Sequence, residues 1–194
     1  MARDAAFLAF VALLFAAVGN RGLIKDSMRY ARVPIESVKP GLRLEIDLAV
    51  DPPYLAQLFW DTGHGFNGVE SVRRNYDPHT LYQTVRFDLP VLGKPAGSLR
   101  GLRFDPYDAA GTVRIFGIRI VDQGRRTRLR LPLDCLRGER EIASIEAQDS
   151  QVLIRTTPEA RDPILTFTPA AVKAIEQTLL RAENAAPEKR LGEG

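Results

Sequence analysis

The chain is poor in the residues that usually build chemistry. Its 194 residues include one cysteine, Cys135, so no disulfide can form within the chain and the fold must rest on burial. Two histidines, His64 and His79, lack metal-ligand spacing. There is no P-loop or dinucleotide fingerprint, and no serine sits in a nucleophile elbow. Charge of one sign is also lacking. The 27 basic and 24 acidic residues leave a formal net charge of +3, too even to argue for nucleic acid. No apolar run reaches the roughly 20 residues that a bilayer span wants. The longest, Ala5 to Val18, has 14.

That run has the length of a signal-peptide core. Arg3 precedes it, and Ala16, Ala17 and Gly19 are small enough for a cleavage site. Residues 1–24 therefore read as a signal peptide or as a membrane anchor, with a buried helix as a third reading. An anchor would have to extend past Arg21 to Leu23 and Ile24, with Arg21 and Lys25 reaching back to the surface. Residues 25–40 form a linker. The stretch from Arg21 to Pro40 carries five basic and two acidic residues, a composition drawn to anionic lipid or simply solvated. The expected location is membrane-anchored or exported, on the extracytoplasmic side.

What the chain does have is alternation. Hydrophobic residues make up 45% of it, enough for a real core. Leu42, Leu44, Ile46, Leu48 and Val50 alternate with polar partners, as a half-buried strand requires. The same period of two returns in 54–60, 81–89 and 126–133, and short strands are predicted at 69–73, 142–147, 151–156 and 164–168. Leu99 to Ile120 organises the middle. Leu102 and Phe104 alternate with Arg103, Asp105-Pro106-Tyr107-Asp108 interrupts, and Val113 and Ile115 resume. The phase then slips at Phe116-Gly117 before Ile118 and Ile120, which predicts a β-bulge. Asp122-Gln123-Gly124 predicts a hairpin turn. Arg126, Arg128 and Arg130 form an outward stripe, a guard against edge pairing or a surface for an anionic polymer.

About nine short strands with no long helix between them exclude a parallel βαβ sheet and predict an all-β fold, an antiparallel sandwich over residues 41–168. A helical period appears only near the ends. Thr168 as N-cap and Pro169 at the first position open a helix over 169–186, with Val172, Ile175 and Leu179 on its apolar face. The polar tail, 187–194, reads as disordered.

Asp61 to Gly68, DTGHGFNG, is a glycine-rich loop displaying His64, Phe66 and Asn67. Flat rings stack on the C–H faces of sugars, while carboxylates, amides and guanidinium groups meet the hydroxyls. Trp60, Asp61, His64, Phe66 and Tyr107 are therefore candidate ligand-binding residues, with Arg103 a further one. Trp60 also shares a strand face with Ala56 and Leu58, a core pattern. Asp105 and Asp108 flank a turn and make it a candidate calcium position, although calcium wants six to eight oxygens. Alternatively, Asp105 caps the turn through its own backbone. Asp61 and Glu70 are the candidate pair for glycoside cleavage, which needs two carboxylates about 5–10 Å apart.

Three pieces carry a resemblance. They are Leu58-Phe59-Trp60-Asp61-Thr62-Gly63 with Gly65-Phe66, then Leu102-Arg103-Phe104-Asp105-Pro106 with Gly111, Val113, Ile115, Ile118 and Ile120, and Asp162-Pro163-Ile164-Leu165. Over roughly residues 41–168 the chain resembles the jelly-roll, carbohydrate-binding-like segments that accompany bacterial cell-surface glycosyltransferases. The resemblance implies a jelly-roll or galactose-binding-like sandwich in a glycan-related setting. It supplies no catalytic residues and no transferase domain. The expected function is a non-catalytic envelope module that binds or positions a surface polysaccharide or its assembly proteins, with no cofactor. The alternatives are a structural subunit of an envelope complex and a jelly-roll hydrolase or lyase.

Overall fold

The computed structural model describes residues 41–51, 55–77, 79–80, 82–92 and 98–185. The expected leader or anchor, the linker and the polar tail lie outside these residues. Within them the chain is mostly β, with eleven strands, one short 3-10 turn and one helix.

The first sheet runs β4 (Tyr82–Asp88), β1 (Arg43–Asp51), β6 (Thr112–Val121), β10 (Gln151–Thr156) and β9 (Ile142–Gln148), with β7 (Thr127–Leu131) also paired to β6. The second runs β3 (Ser71–Asn75), β2 (Leu55–Asp61), β5 (Gly101–Asp105), β11 (Ile164–Phe167) and β8 (Leu136–Arg140). All pairings are antiparallel.

Alternation decides what the sandwich buries. Leu44, Ile46 and Leu48 of β1 are buried, as are Val113, Ile115 and Ile120 of β6. From the second sheet, Ala56, Leu58, Leu102, Phe104 and Leu165 meet them in one core. Phe87 and Phe104, one from each sheet, pack edge to face with ring centroids 6.0 Å apart. Cys135 is buried in the same core, and burial with Asp134 nearby pushes its thiol up to about 12.

The expected bulge is present. Asp47 pairs with Gly117 and Leu48 with Ile115, so Phe116 is the unpaired extra residue. Ile118 and Ile120 thereby return to the core. A methyl group at Gly117 would stand 3.2 Å from Asp47 Oδ2, so the glycine makes room for that carboxylate. The bulge also divides β6 in use: its first half pairs with β10 and its second with β7. The β6–β7 turn falls at Asp122–Arg126, where the Asp122 amide donates to the Arg126 carbonyl at 3.0 Å.

Strand β8 was not expected, and several strand boundaries shift by a residue or two, two of them for a visible reason. Strand β3 begins at Ser71 rather than Val69, because Asn67 Oδ1 accepts the amides of Val69 and Glu70 and keeps them in the loop. Strand β7 stops at Leu131, before Pro132, and Leu133–Cys135 turn as a 3-10 segment.

Helix α1 (Pro169–Ala185) opens as expected. Thr168 Oγ1 accepts the Ala171 amide at 3.4 Å, and the Thr168 amide donates to the Cys135 carbonyl at 2.8 Å. Ala171, Val172, Ile175 and Leu179 are buried. On its flank Glu176 Oε1 accepts the Leu99 amide and Glu183 Oε1 accepts the Leu92 amide. The helix thus ties down both shoulders of the β4–β5 connection, a role that its apolar periodicity does not announce.

Candidate functional site

The glycine-rich loop closes on itself through side chains. Asp61 Oδ1 accepts the amides of Gly63 and Gly65 at 2.7 and 2.9 Å. Those bonds, led by Gly63, hold the Asp61 carboxyl below its ordinary 3.8. Glu70 accepts the Thr62 amide and the Thr62 hydroxyl, and His64 Nδ1 lies 3.6 Å from Glu70 Oε1. Gly63 and Gly65 adopt φ of +125° and +72°, which L side chains rarely adopt, so the two glycines permit the turn. The Arg100 guanidinium covers Gly63, 3.3 Å from where a methyl group would be.

This loop delivers Phe66 onto the outer face of the second sheet. Phe66 remains 40% exposed. Its ring lies over Gly101: a methyl group there would stand 2.9 Å from Phe66 Cζ. Gly101 pairs with Asp61 on β2, so ring and carboxylate share a row. One row along, about 7 Å by strand geometry, Arg103 pairs with Phe59. The Arg103 guanidinium sits 4.7 Å from the Phe59 ring centroid. It also grips Asp105 with two bonds of 2.7 and 2.6 Å and reaches Asp162 at 3.4 Å. Gln57 and Arg73 continue the strip, Arg73 Nε donating to Gln57 Oε1 at 2.9 Å. The result is an open shelf of two rings, a fixed guanidinium and a carboxylate. The Gly63 and Gly65 bonds both fall on Asp61 Oδ1.

The structure brings together Asp61, Phe66 and Arg103 and keeps His64 in the same loop. Trp60 and Tyr107 go elsewhere. Trp60 faces inward with Ala56 and Leu58 and packs against the core. Tyr107 is 1% exposed, its ring has no free face, and burial pushes its hydroxyl up to about 12. Among the described residues that hydroxyl has no hydrogen-bond partner. Asp105 does not cap its own turn. Its carboxylate is turned to Arg103, and burial against the sheet raises its pKa despite that partner. Asp108 is exposed, and among the described residues no three His, Cys, Asp or Glu converge as a metal site needs.

Phe59 and Gly101 belong to the shelf and escaped the sequence reading. Phe59 alternates outward with Gln57, and only the β2–β5 register reveals that it lies under Arg103.

Neither a protein-family model, nor a curated protein, nor a solved structure matches the chain.

Proposed function

We propose that the protein is a non-catalytic carbohydrate-binding module that uses the shelf of the second sheet to hold or position an envelope polysaccharide. The observation that carries this reading is Phe66, exposed and laid over Gly101 by a loop that Asp61 and Asn67 close through backbone amides. A ring that already lies on the sheet before binding gives up less freedom on stacking against a sugar. Arg103 and the Asp61 carboxylate supply a donor and an acceptor within one or two rows of that ring. Asp61 and Glu70 are both spent on holding the loop, which favours binding over glycoside cleavage. The likeness to glycosyltransferase-associated segments points the same way. So does a jelly-roll assignment, supported by a chain that crosses between sheets at every connection except β2–β3, β6–β7 and β9–β10. In this reading residues 1–24 either export the module as a cleaved leader or tether it as an anchor, on the extracytoplasmic side.

The test is an array of envelope glycans probed with the wild-type chain and with Phe66→Ala. Wild type is expected to retain at least one glycan. Phe66→Ala, removing an exposed ring, is expected to keep its thermal midpoint and to lose about tenfold in affinity, the worth of one aromatic contact. A blank array would overturn the reading in favour of a structural subunit, as would full binding by Phe66→Ala.

A further inference from the structure

The outer face of the first sheet carries a second aromatic platform, and its chemistry differs from that of the shelf. The bulge turns Phe116 outward, where it is 37% exposed. Tyr82 on β4 is 54% exposed. The two rings meet with centroids 5.2 Å apart and planes tilted by 55°. They come together across β1, where the residue opposite Tyr82 is only Ala49. Two large rings beside each other on a water-facing sheet have no burial to explain them.

Their surroundings select the partner. The residue opposite Ala49 on its other side is Arg114, which is exposed and has no carboxylate partner among the described residues. Arg130 is likewise exposed and unpaired among the described residues, and it stands directly opposite Arg119. The acids of the face are consumed. Glu45 is held by Arg86 and Arg119, Asp47 by Arg119, and Glu146 by Arg155. On this face, among the described residues, Asp51 at the end of β1 is an exposed acid without an ion-pair partner. Two spare guanidinium groups, Arg114 and Arg130, against that one carboxylate leave the face basic on balance.

We propose that this face binds an acidic polysaccharide, with Tyr82 and Phe116 stacking on sugar rings and Arg114 pairing with a sugar carboxylate. Guanidinium and carboxylate match as a fork, and a planar ring matches a pyranose face. The site is independent of the shelf and can fail or stand without it.

The test is affinity electrophoresis of the full chain through gels containing polygalacturonate or neutral dextran, at low and at raised salt. Polygalacturonate is expected to retard wild type and dextran not to. Raised salt should weaken the retardation, as screening of a surface ion pair requires. Tyr82→Ser with Arg114→Gln, both exposed positions, should keep the wild-type melting midpoint and lose about tenfold in affinity. Each single variant should lose part of it. Phe66→Ala should bind polygalacturonate as wild type does. Equal retardation by dextran would overturn the acidic specificity. No retardation in either gel, or undiminished binding by the folded double variant, would overturn the site. Loss of binding in Phe66→Ala alone would assign the polymer to the other sheet.

Discussion

On the outer face of the first sheet, Glu45 and Asp47 lie beneath Arg119 and Arg86, and Glu45 is only 6% exposed. On the second sheet Arg103 grips Asp105 from its own strand and reaches Asp162 only at 3.4 Å, and Asp61 turns back to the amides of its own loop. The difference lies in strand neighbourhood. Residues Glu45, Arg86 and Arg119 occupy one row across three adjacent strands, so the Glu45 carboxylate meets guanidinium groups from both sides, and Arg119 reaches on to Asp47 in the next row. The second sheet has a glycine, Gly101, where a further side chain would stand, and the space goes to a ring from a loop. The first sheet uses its charge to brace strands against one another; the second uses it to shape a surface over β2 and β5.

Removing one arginine from each face tests this most severely. Arg119→Ala removes the one guanidinium on Asp47 and one of the two on Glu45, both largely shielded from water, and is expected to cost about 3 kcal/mol in urea denaturation. Arg103→Ala strands chiefly Asp105 and is expected to cost about 2 kcal/mol. Equal losses would erase the distinction between network and single pair.

A methyl group added to each face's glycine has a smaller effect and sharpens the contrast. Gly117→Ala presses on Asp47, a member of the network, and is expected to cost about 1 kcal/mol of stability. Gly101→Ala presses on the free end of Phe66, which can swing away. Its stability should change by less than about 0.5 kcal/mol. Glycan binding at the shelf should fall, because the ring loses its seat.

The smallest effect is in acid. Asp61 titrates below its ordinary 3.8 in the folded chain, so its contribution is complete above that value and is lost as pH falls through the lowered one. The stability gap between wild type and Asp61→Asn should therefore close on acidification. Asp105 titrates above 3.8 through burial, so its contribution is full below 3.8 and fades as pH rises through the raised value. Wild type should gain on Asp105→Asn over the same acid range. Denaturation curves at stepped pH would show both slopes, and parallel slopes would refute the assignment of opposite environments.

Much of the body was legible wherever alternation is strict. The phase slip at Phe116-Gly117 could mean little else, since Ile118 and Ile120 had to return to the face of Val113 and Ile115. Thr168-Pro169 opened the helix by capping chemistry alone. Strand β8 was not legible. Only Leu136 of it is buried, and the exposed Arg137, Gly138, Glu139 and Arg140 carry no period; the strand exists because β11 offers it a ladder. The site divides the same way. Trp60 faces inward as its alternation with Ala56 and Leu58 says. Tyr107 follows a proline in a turn, where no period operates, and its burial depends on strands far away in sequence. The meeting of Arg103 with Phe59 needs the β2–β5 register, which no local pattern encodes.

Cys135 sits where the last turn before β8 meets the start of α1, sealed from water and with a thiol that resists ionisation. A thiol reagent can reach it only when that junction opens. The lone thiol is therefore a native clock: its labelling rate, followed against denaturant, times how often the helix lets go of the sandwich, without any probe having to be engineered in.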